Sequence, residues 1–378
     1  MNIVTFFRRH GLLGVVIFVA LAVSACGGNV GTSWPGVTKL DSTQQIAMAY
    51  TDRIVLINPA NGDPVELLNE DGRVRLDDEG NPRLWEVLGN DLKNSQFYAP
   101  PIVEAGDTLL AANFSNHLFE IDVPSARVNN PDGAEVASAI VSHMTLTDDL
   151  LFVGYNDRNF AALNRADMSV RWTFETERGV WAQPLLVADT LYVASLDHHL
   201  YAVDPETGIE RWKLDLEGAV PAAPTYVDGH LYIGSFARKL FDISPDGAIL
   251  NQYQTEDWVW GTPVVVDNHL YAADLGGWVY ALNLGDGFVE VWKETLGPEA
   301  AVRPTPIITD TQVIVGSRDN TVYWLSRESG DLLFERQVAG EVLADMLVID
   351  QNEEQDTQNN EEESGGNGGC DDSQCSGR

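Results

Sequence analysis

A motif of about forty residues recurs along most of the chain, and a recurrence of that length leaves few folds open. Leu191-Tyr192-Val193-Ala194-Ser195 returns as Leu231-Tyr232-Ile233-Gly234-Ser235, as Leu270-Tyr271-Ala272-Ala273-Asp274 and as Val313-Ile314-Val315-Gly316-Ser317. Upstream, Leu151-Phe152-Val153-Gly154-Tyr155 and Leu109-Leu110-Ala111-Ala112-Asn113 fit the same frame. The frame therefore starts at 109, 151, 191, 231, 270 and 313, at intervals of 42, 40, 40, 39 and 43. Each copy continues into a second run such as Leu200-Tyr201-Ala202-Val203-Asp204, a turn such as Pro205-Glu206-Thr207-Gly208, and a third run ending near Trp212. A short run led by Pro184, Pro224, Pro263 or Pro306 precedes the whole. Short apolar and β-branched runs cut by Asp, Asn and Gly turns are strands, and four of them per copy make the blade of a β-propeller.

The copies predict an all-β, seven-bladed propeller of four-stranded antiparallel blades over residues 46–349. In the first copy, Ile46-Ala47-Met48-Ala49-Tyr50 and Arg53-Ile54-Val55-Leu56-Ile57-Asn58 give two strands, and Leu84-Trp85 restores a third after a polar stretch at 69–82. The run at 342–349 reads as a lone first strand, so pairing of N- and C-terminal strands would close the ring and remove its bare edges. Eight blades, the alternative, would need a further copy within residues 27–45, which are too few. Trp172, Trp212, Trp292 and Phe334 lie 21, 21, 22 and 21 residues after their frame starts, and Trp85 holds the matching place in the first copy. A large aromatic repeated at one blade position fills the wedge between neighbouring blades.

The two ends read differently from the body. Arg8, Arg9 and His10 precede an apolar run at 11–23, the order of an export signal over residues 1–25. Leu21-Ala22-Val23-Ser24-Ala25-Cys26-Gly27 resembles the lipobox of bacterial lipoproteins, with Cys26 as the lipidated residue and 26–45 as a tether. The expected location is extracytoplasmic and lipid-anchored: outer membrane and periplasm if the organism has them, otherwise the cell surface. Residues 350–378 are acidic and almost devoid of apolar side chains, so they cannot repay their ordering entropy and read as a disordered tail. In an oxidising compartment Cys370 and Cys375 can close a small disulfide loop. With Cys26 they are the chain's only 3 cysteines, so no disulfide staples the body.

A formal net charge of -34 repels phosphate backbones and anionic headgroups, which excludes nucleic acid as a partner and leaves the lipid as the membrane contact. Chain reversal puts the turn between the second and third strands of a blade on the same rim as the loop entering the next blade. Those segments hold Phe97, Tyr98, Trp181, Phe236, Arg238, Trp258, Trp260, Trp278, Arg303 and Arg318, a composition enriched at protein interfaces. The same residues could instead line a packed central funnel, Trp181 and Trp260 foremost. No catalytic grouping or metal site is expected. His198 and His199 alternate faces, the body has no Cys, no Gly-rich phosphate loop or Ser elbow occurs, and Asp204, Asp228, Asp267 and Asp310 sit at turns.

The run from Leu191 to Trp212 resembles the pyrroloquinoline-quinone repeat family, and the resemblance extends over the body. That family's dehydrogenases carry eight blades, an adjacent cysteine pair beside the quinone, and a calcium site with a catalytic Asp. This chain is shorter, has no such pair and offers no Asp for that role, so no cofactor is expected, pyrroloquinoline quinone included. The other branch holds BamB-like lipoproteins, small anchored propellers that assist outer-membrane β-barrel assembly by holding a partner subunit. Likeness to that branch implies a non-enzymatic scaffold with a protein partner. Two other readings stay open: a quinone-dependent dehydrogenase, and a carbohydrate- or peptide-binding surface receptor.

Overall fold

In the copy at 185–215, Thr190–Ala194 and His199–Val203 are buried along nearly their whole length, Leu185–Val187 is half-buried, and Glu210–Asp215 is the most exposed. Strands that are apolar without alternation belong to a sheet covered on both faces. The computed structural model shows what covers them. It describes residues 36–346 except 40–44, 50–51, 59–63, 90–91, 93–95, 105–107, 339–340 and single residues at 70, 98, 286 and 344. Within that span lie seven antiparallel sheets, each made of consecutive strands hydrogen-bonded in chain order. The first comprises Gly36–Lys39, Ile46–Ala49, Arg53–Ile57 and Glu86–Leu88. The second comprises Ile102–Val103, Thr108–Ala112 and His117–Asp122, with Arg127–Val128 and Ala134–Glu135 sharing the outer place. The remaining five occupy 145–175, 185–215, 225–254, 264–295 and 307–337. These are the seven blades of the propeller.

Neighbouring blades share their cores. Phe152, Phe160 and Trp172 of the third blade pack in one cluster with Leu191, Val193 and Tyr201 of the fourth. The inter-blade aromatics add a polar stitch to this packing. The indole Nε1 of Trp172 donates to Pro205 O at 2.9 Å, that of Trp212 to Pro245 O at 2.9 Å, and that of Trp292 to Arg327 O at 3.0 Å. Trp85 donates likewise to Val123 O. Each acceptor lies in the last turn of the next blade, and for Trp172, Trp212 and Trp292 that turn holds a glycine with positive φ, Gly208, Gly247 and Gly330. A Cβ on Gly208 would come within 2.7 Å of the Trp172 ring, so that turn needs glycine for both space and backbone. Replacing Trp172 with Phe keeps the ring but strands the carbonyl, and is expected to lower unfolding free energy by about 1 kcal/mol in urea titration.

Three expectations about the ring are corrected. The propeller begins inside the stretch read as tether, because Gly36–Lys39 pairs antiparallel with Ile46–Ala49. That strand takes the first place in the first blade, where the run at 342–349 was expected. A local segment closes a shorter loop at lower entropic cost than one arriving from the far terminus. Residues 341–343 and 345–346 carry no strand, and 347–349 lie outside the described residues. Phe334 is not wedged between blades: it is 50% exposed and stacks on Trp324 of its own sheet at 4.1 Å. Phe has no ring N–H to give, so the seventh copy lacks the stitch. The expected signal at 1–25, the lipidated Cys26, the tail and the Cys370–Cys375 loop all lie outside the described residues.

Candidate protein-binding rim

The loops that follow the third to seventh blades are each pinned at one valine. Val180, Val220, Val259, Val302 and Val342 donate their N–H to Tyr155, Ser195, Ser235, Asp274 and Ser317 O at 3.0–3.3 Å. In three copies the valine side chain occupies the space a Cβ would need on the preceding blade, at Gly154, Gly234 and Gly316. The backbone bond delivers the next residue to the same place in these five copies. That residue is Trp181, Pro221, Trp260, Arg303 or Leu343.

Trp181 and Trp260 approach with ring centroids 6.4 Å apart, although the loops that carry them enter the fourth and sixth blades. Phe236, from the strand-two to strand-three turn of the fifth blade, lies 5.4 Å from Trp260 and stacks on Trp258 at 4.8 Å and 15°. The Arg303 guanidinium sits 3.7 Å from the Trp260 ring centroid, a cation–π contact. Burial, with help from the Arg318 charge, brings Arg303 down to about 10, so it stays cationic at neutral pH. Trp181, Phe236, Trp260 and Arg303 are half-buried, while Trp258 is 45% exposed and stands outward. Arg318 and Arg238 are exposed, with Nε atoms 3.4 Å from Glu341 Oε2 and 4.0 Å from Asp257 Oδ1.

The rim and funnel readings therefore meet in one structure, a packed base of Trp181 and Trp260 with Trp258 and the arginines above it. Phe97 does not belong to it. At 1% exposure it is in the core shared by the first two blades, because its backbone bridges Asn113 and turns the ring inward. Trp278 is half-buried, with Lys293 Nζ 5.1 Å from its ring. Tyr98 lies outside the described residues.

What holds the rim loops escaped the sequence reading. Asp274, fully buried, accepts from Gly276 N and Trp278 N at 2.9 and 3.0 Å on one oxygen, and from Asp257 N and the Tyr280 hydroxyl at 2.8 and 2.6 Å on the other. Asp257 Oδ1 then accepts from Trp258 N at 2.8 Å, so this carboxylate anchors the loop that carries two tryptophans. Asp197 does the same for the loop leading to Trp181, accepting from Glu177 N and the Tyr201 hydroxyl, both at 2.8 Å. The signal was an acid just after the second strand followed by Tyr on the third, but Asp197 and Asp274 reach that role from different repeat positions. Among the described residues no group of three or more His, Cys, Asp or Glu is placed to hold a metal ion.

Seven sheets of one repeat, stitched by tryptophan and carrying one rim of aromatic and arginine residues, define a β-propeller of the pyrroloquinoline-quinone-like repeat class. The chain belongs to the family of the outer membrane protein assembly factor BamB, whose sequence model matches residues 32–174, 161–289 and 197–343. It is 36% identical over 96 residues to outer membrane protein assembly factor BamB of Salmonella typhimurium, covering 23% of this chain and 24% of that protein. It is 33% identical over 90 residues to the Escherichia coli protein of the same name, 22% of this chain and 23% of that one. These aligned stretches thus span about a quarter of the curated relatives. The crystal structure of BamB from Moraxella catarrhalis superposes with a TM-score of 0.63 at 16% identity, covering 83% of this chain and 90% of that one. The computationally designed Ika8 protein gives 0.62 at 14% identity, over 84% and 91%. At such identities the superpositions establish the fold.

Proposed function

We propose that this chain is an extracytoplasmic propeller, anchored by lipid on Cys26, that holds a protein partner in outer-membrane protein assembly and catalyses no reaction. The observation that carries the reading is the convergence of Trp181, Phe236, Trp258, Trp260 and Arg303 on one rim of a scaffold whose loops are pinned by buried valines and aspartates. Aromatic and arginine side chains held rigidly supply contact area at low entropic cost, which suits recognition of a folded partner. The family's name supports the assembly role. In this reading residues 1–25 are removed on export, the segment from Cys26 to the first strand is the tether, the blades are the binding unit and 350–378 form an acidic tail. Cys370 and Cys375 pair with each other, and no quinone or metal takes part.

A photo-reactive residue at position 258, introduced into the full chain in its native envelope, is expected to crosslink a subunit of the outer-membrane assembly machinery. Identification of the crosslinked peptide by mass spectrometry checks this. Dye reduction after incubation with pyrroloquinoline quinone, calcium and an alcohol or sugar would overturn the non-enzymatic reading, and crosslinks only to soluble proteins of unrelated function would overturn the assembly role.

A further inference from the structure

Between the third and fourth strands of the first blade the chain leaves the sheet and folds on itself. Isolated bridges pair Glu66 with Leu84, Leu68 with Val74, and Leu76 with Pro82. Leu67 N donates to Arg83 O, Arg83 N to Arg75 O, and Arg75 N to Leu67 O, each at 2.8 Å, so three short segments close a hydrogen-bonded cycle. An eight-residue repeat underlies it: Asn69-Glu70-Asp71-Gly72-Arg73-Val74-Arg75-Leu76, then Asp77-Asp78-Glu79-Gly80-Asn81-Pro82-Arg83-Leu84. Each octad turns at a glycine with positive φ, 73° at Gly72 and 85° at Gly80. The first residue caps its turn. Asn69 Oδ1 accepts from Asp71 N and Arg73 N at 3.0 and 2.9 Å, and Asp77 Oδ1 from Glu79 N and Asn81 N at 2.9 and 2.8 Å.

Bridge partners share a face, and so do alternate residues of one strand. Glu66, Leu68, Val74, Leu76, Pro82 and Leu84 therefore lie on one face of the insertion, and Arg73, Arg75 and Arg83 on the other. Leu67 and Trp85, on the arginine face, are buried in the core of the first two blades. The apolar face points away from that core: Leu68, Val74, Leu76 and Leu84 are 47%, 37%, 58% and 44% exposed. A contiguous exposed apolar face on an otherwise acidic chain marks a contact surface.

Charge selects its occupant. Glu66 stands in the face, and Asp71 and the run Asp77-Asp78-Glu79 sit at its two turned corners. The hydrogen bonds from Asn81 and Glu79 hold Asp77 below the ordinary carboxylate range, so this corner is charged at neutral pH. A second copy, with the same carboxylates and a formal charge of -34, repels it, as do anionic lipid and the acidic tail. The cycle takes up the N–H groups of Leu67, Arg75 and Arg83 within the insertion, and the exposed side chains of the apolar face carry recognition. We infer that this face docks an apolar segment flanked by lysine or arginine in another protein, separately from the rim.

Fluorescence anisotropy with the full chain tests it, using a labelled peptide of alternating leucine and lysine against one of alternating leucine and glutamate. The lysine peptide is expected to bind and the glutamate peptide not to. Leu76→Asp adds negative charge while removing apolar contact, and is expected to weaken the lysine peptide about tenfold. Unchanged or tighter binding to that variant would mean bulk charge attraction alone and would overturn the proposal, as would equal binding of the two peptides. Leu84→Asp serves as a second exposed variant should Leu76→Asp alter the urea midpoint. Trp260→Ala should leave this binding intact, so failure here is distinguishable from failure at the rim.

Discussion

Replacing Asp274 with alanine is expected to lower unfolding free energy by about 3 kcal/mol and to loosen the loop bearing Trp258 and Trp260. Four donors converge on that carboxylate: the N–H groups of Gly276, Trp278 and Asp257 and the Tyr280 hydroxyl. Alanine leaves all of them with no acceptor in a place where water does not reach, and an abandoned buried donor costs more than a hydrogen bond is worth on average. Asp274→Asn keeps one carbonyl oxygen and should cost less, since only its amide end opposes the Asp257 N–H. Urea unfolding monitored by tryptophan fluorescence measures both. A loss under 1 kcal/mol for the alanine variant would mean that the loop is held by packing instead.

The same residue sets a pH dependence. Burial pushes the Asp274 carboxyl above the ordinary carboxylate range, against the downward pull of its hydrogen bonds. The folded protein therefore keeps this proton to higher pH than the unfolded chain does. The stability linked to that proton is fully present below the unfolded value and is lost as pH rises through the raised folded one. The alanine variant should lack this component.

Most of the fold was legible because the repeat encodes it several times over. Frame, turns and tryptophans each point to four-stranded blades, and agreement among local signals makes a sequence readable. Legibility fails where a copy departs from the others. The start of the ring was misplaced because Gly36–Lys39 carries no repeat signature and the 342–349 run does. Phe334 was grouped with the tryptophans by spacing, yet spacing alone does not bury a ring that stacks on Trp324 of its own sheet. At the rim, Trp181, Trp260 and Arg303 were visible as composition. Their equivalence was not, because it depends on counting from the buried valine. The octads of the first blade were passed over as a polar swelling: acids at the corners dominate the composition, and only a period of eight sets the leucines in line.

Trp260→Ala is expected to weaken partner binding at the rim about thirtyfold, or about 2 kcal/mol, while the urea midpoint barely moves. Trp260 touches the other three half-buried members of the cluster, Trp181, Phe236 and Arg303, so its removal collapses the packed base on which Trp258 stands. None of the four belongs to an inter-blade core cluster, which separates binding from stability. Arg303→Lys sharpens the test. Lysine keeps the charge but loses the planar group stacked on the indole, so an intermediate loss of about 1 kcal/mol is expected if stacking orients the arginine. If charge alone mattered, Arg303→Lys would bind like the parent and Arg303→Ala would not. Titration calorimetry with the crosslinked partner, purified separately, distinguishes these outcomes. Parent-like affinity in all three variants would move the interface away from this rim.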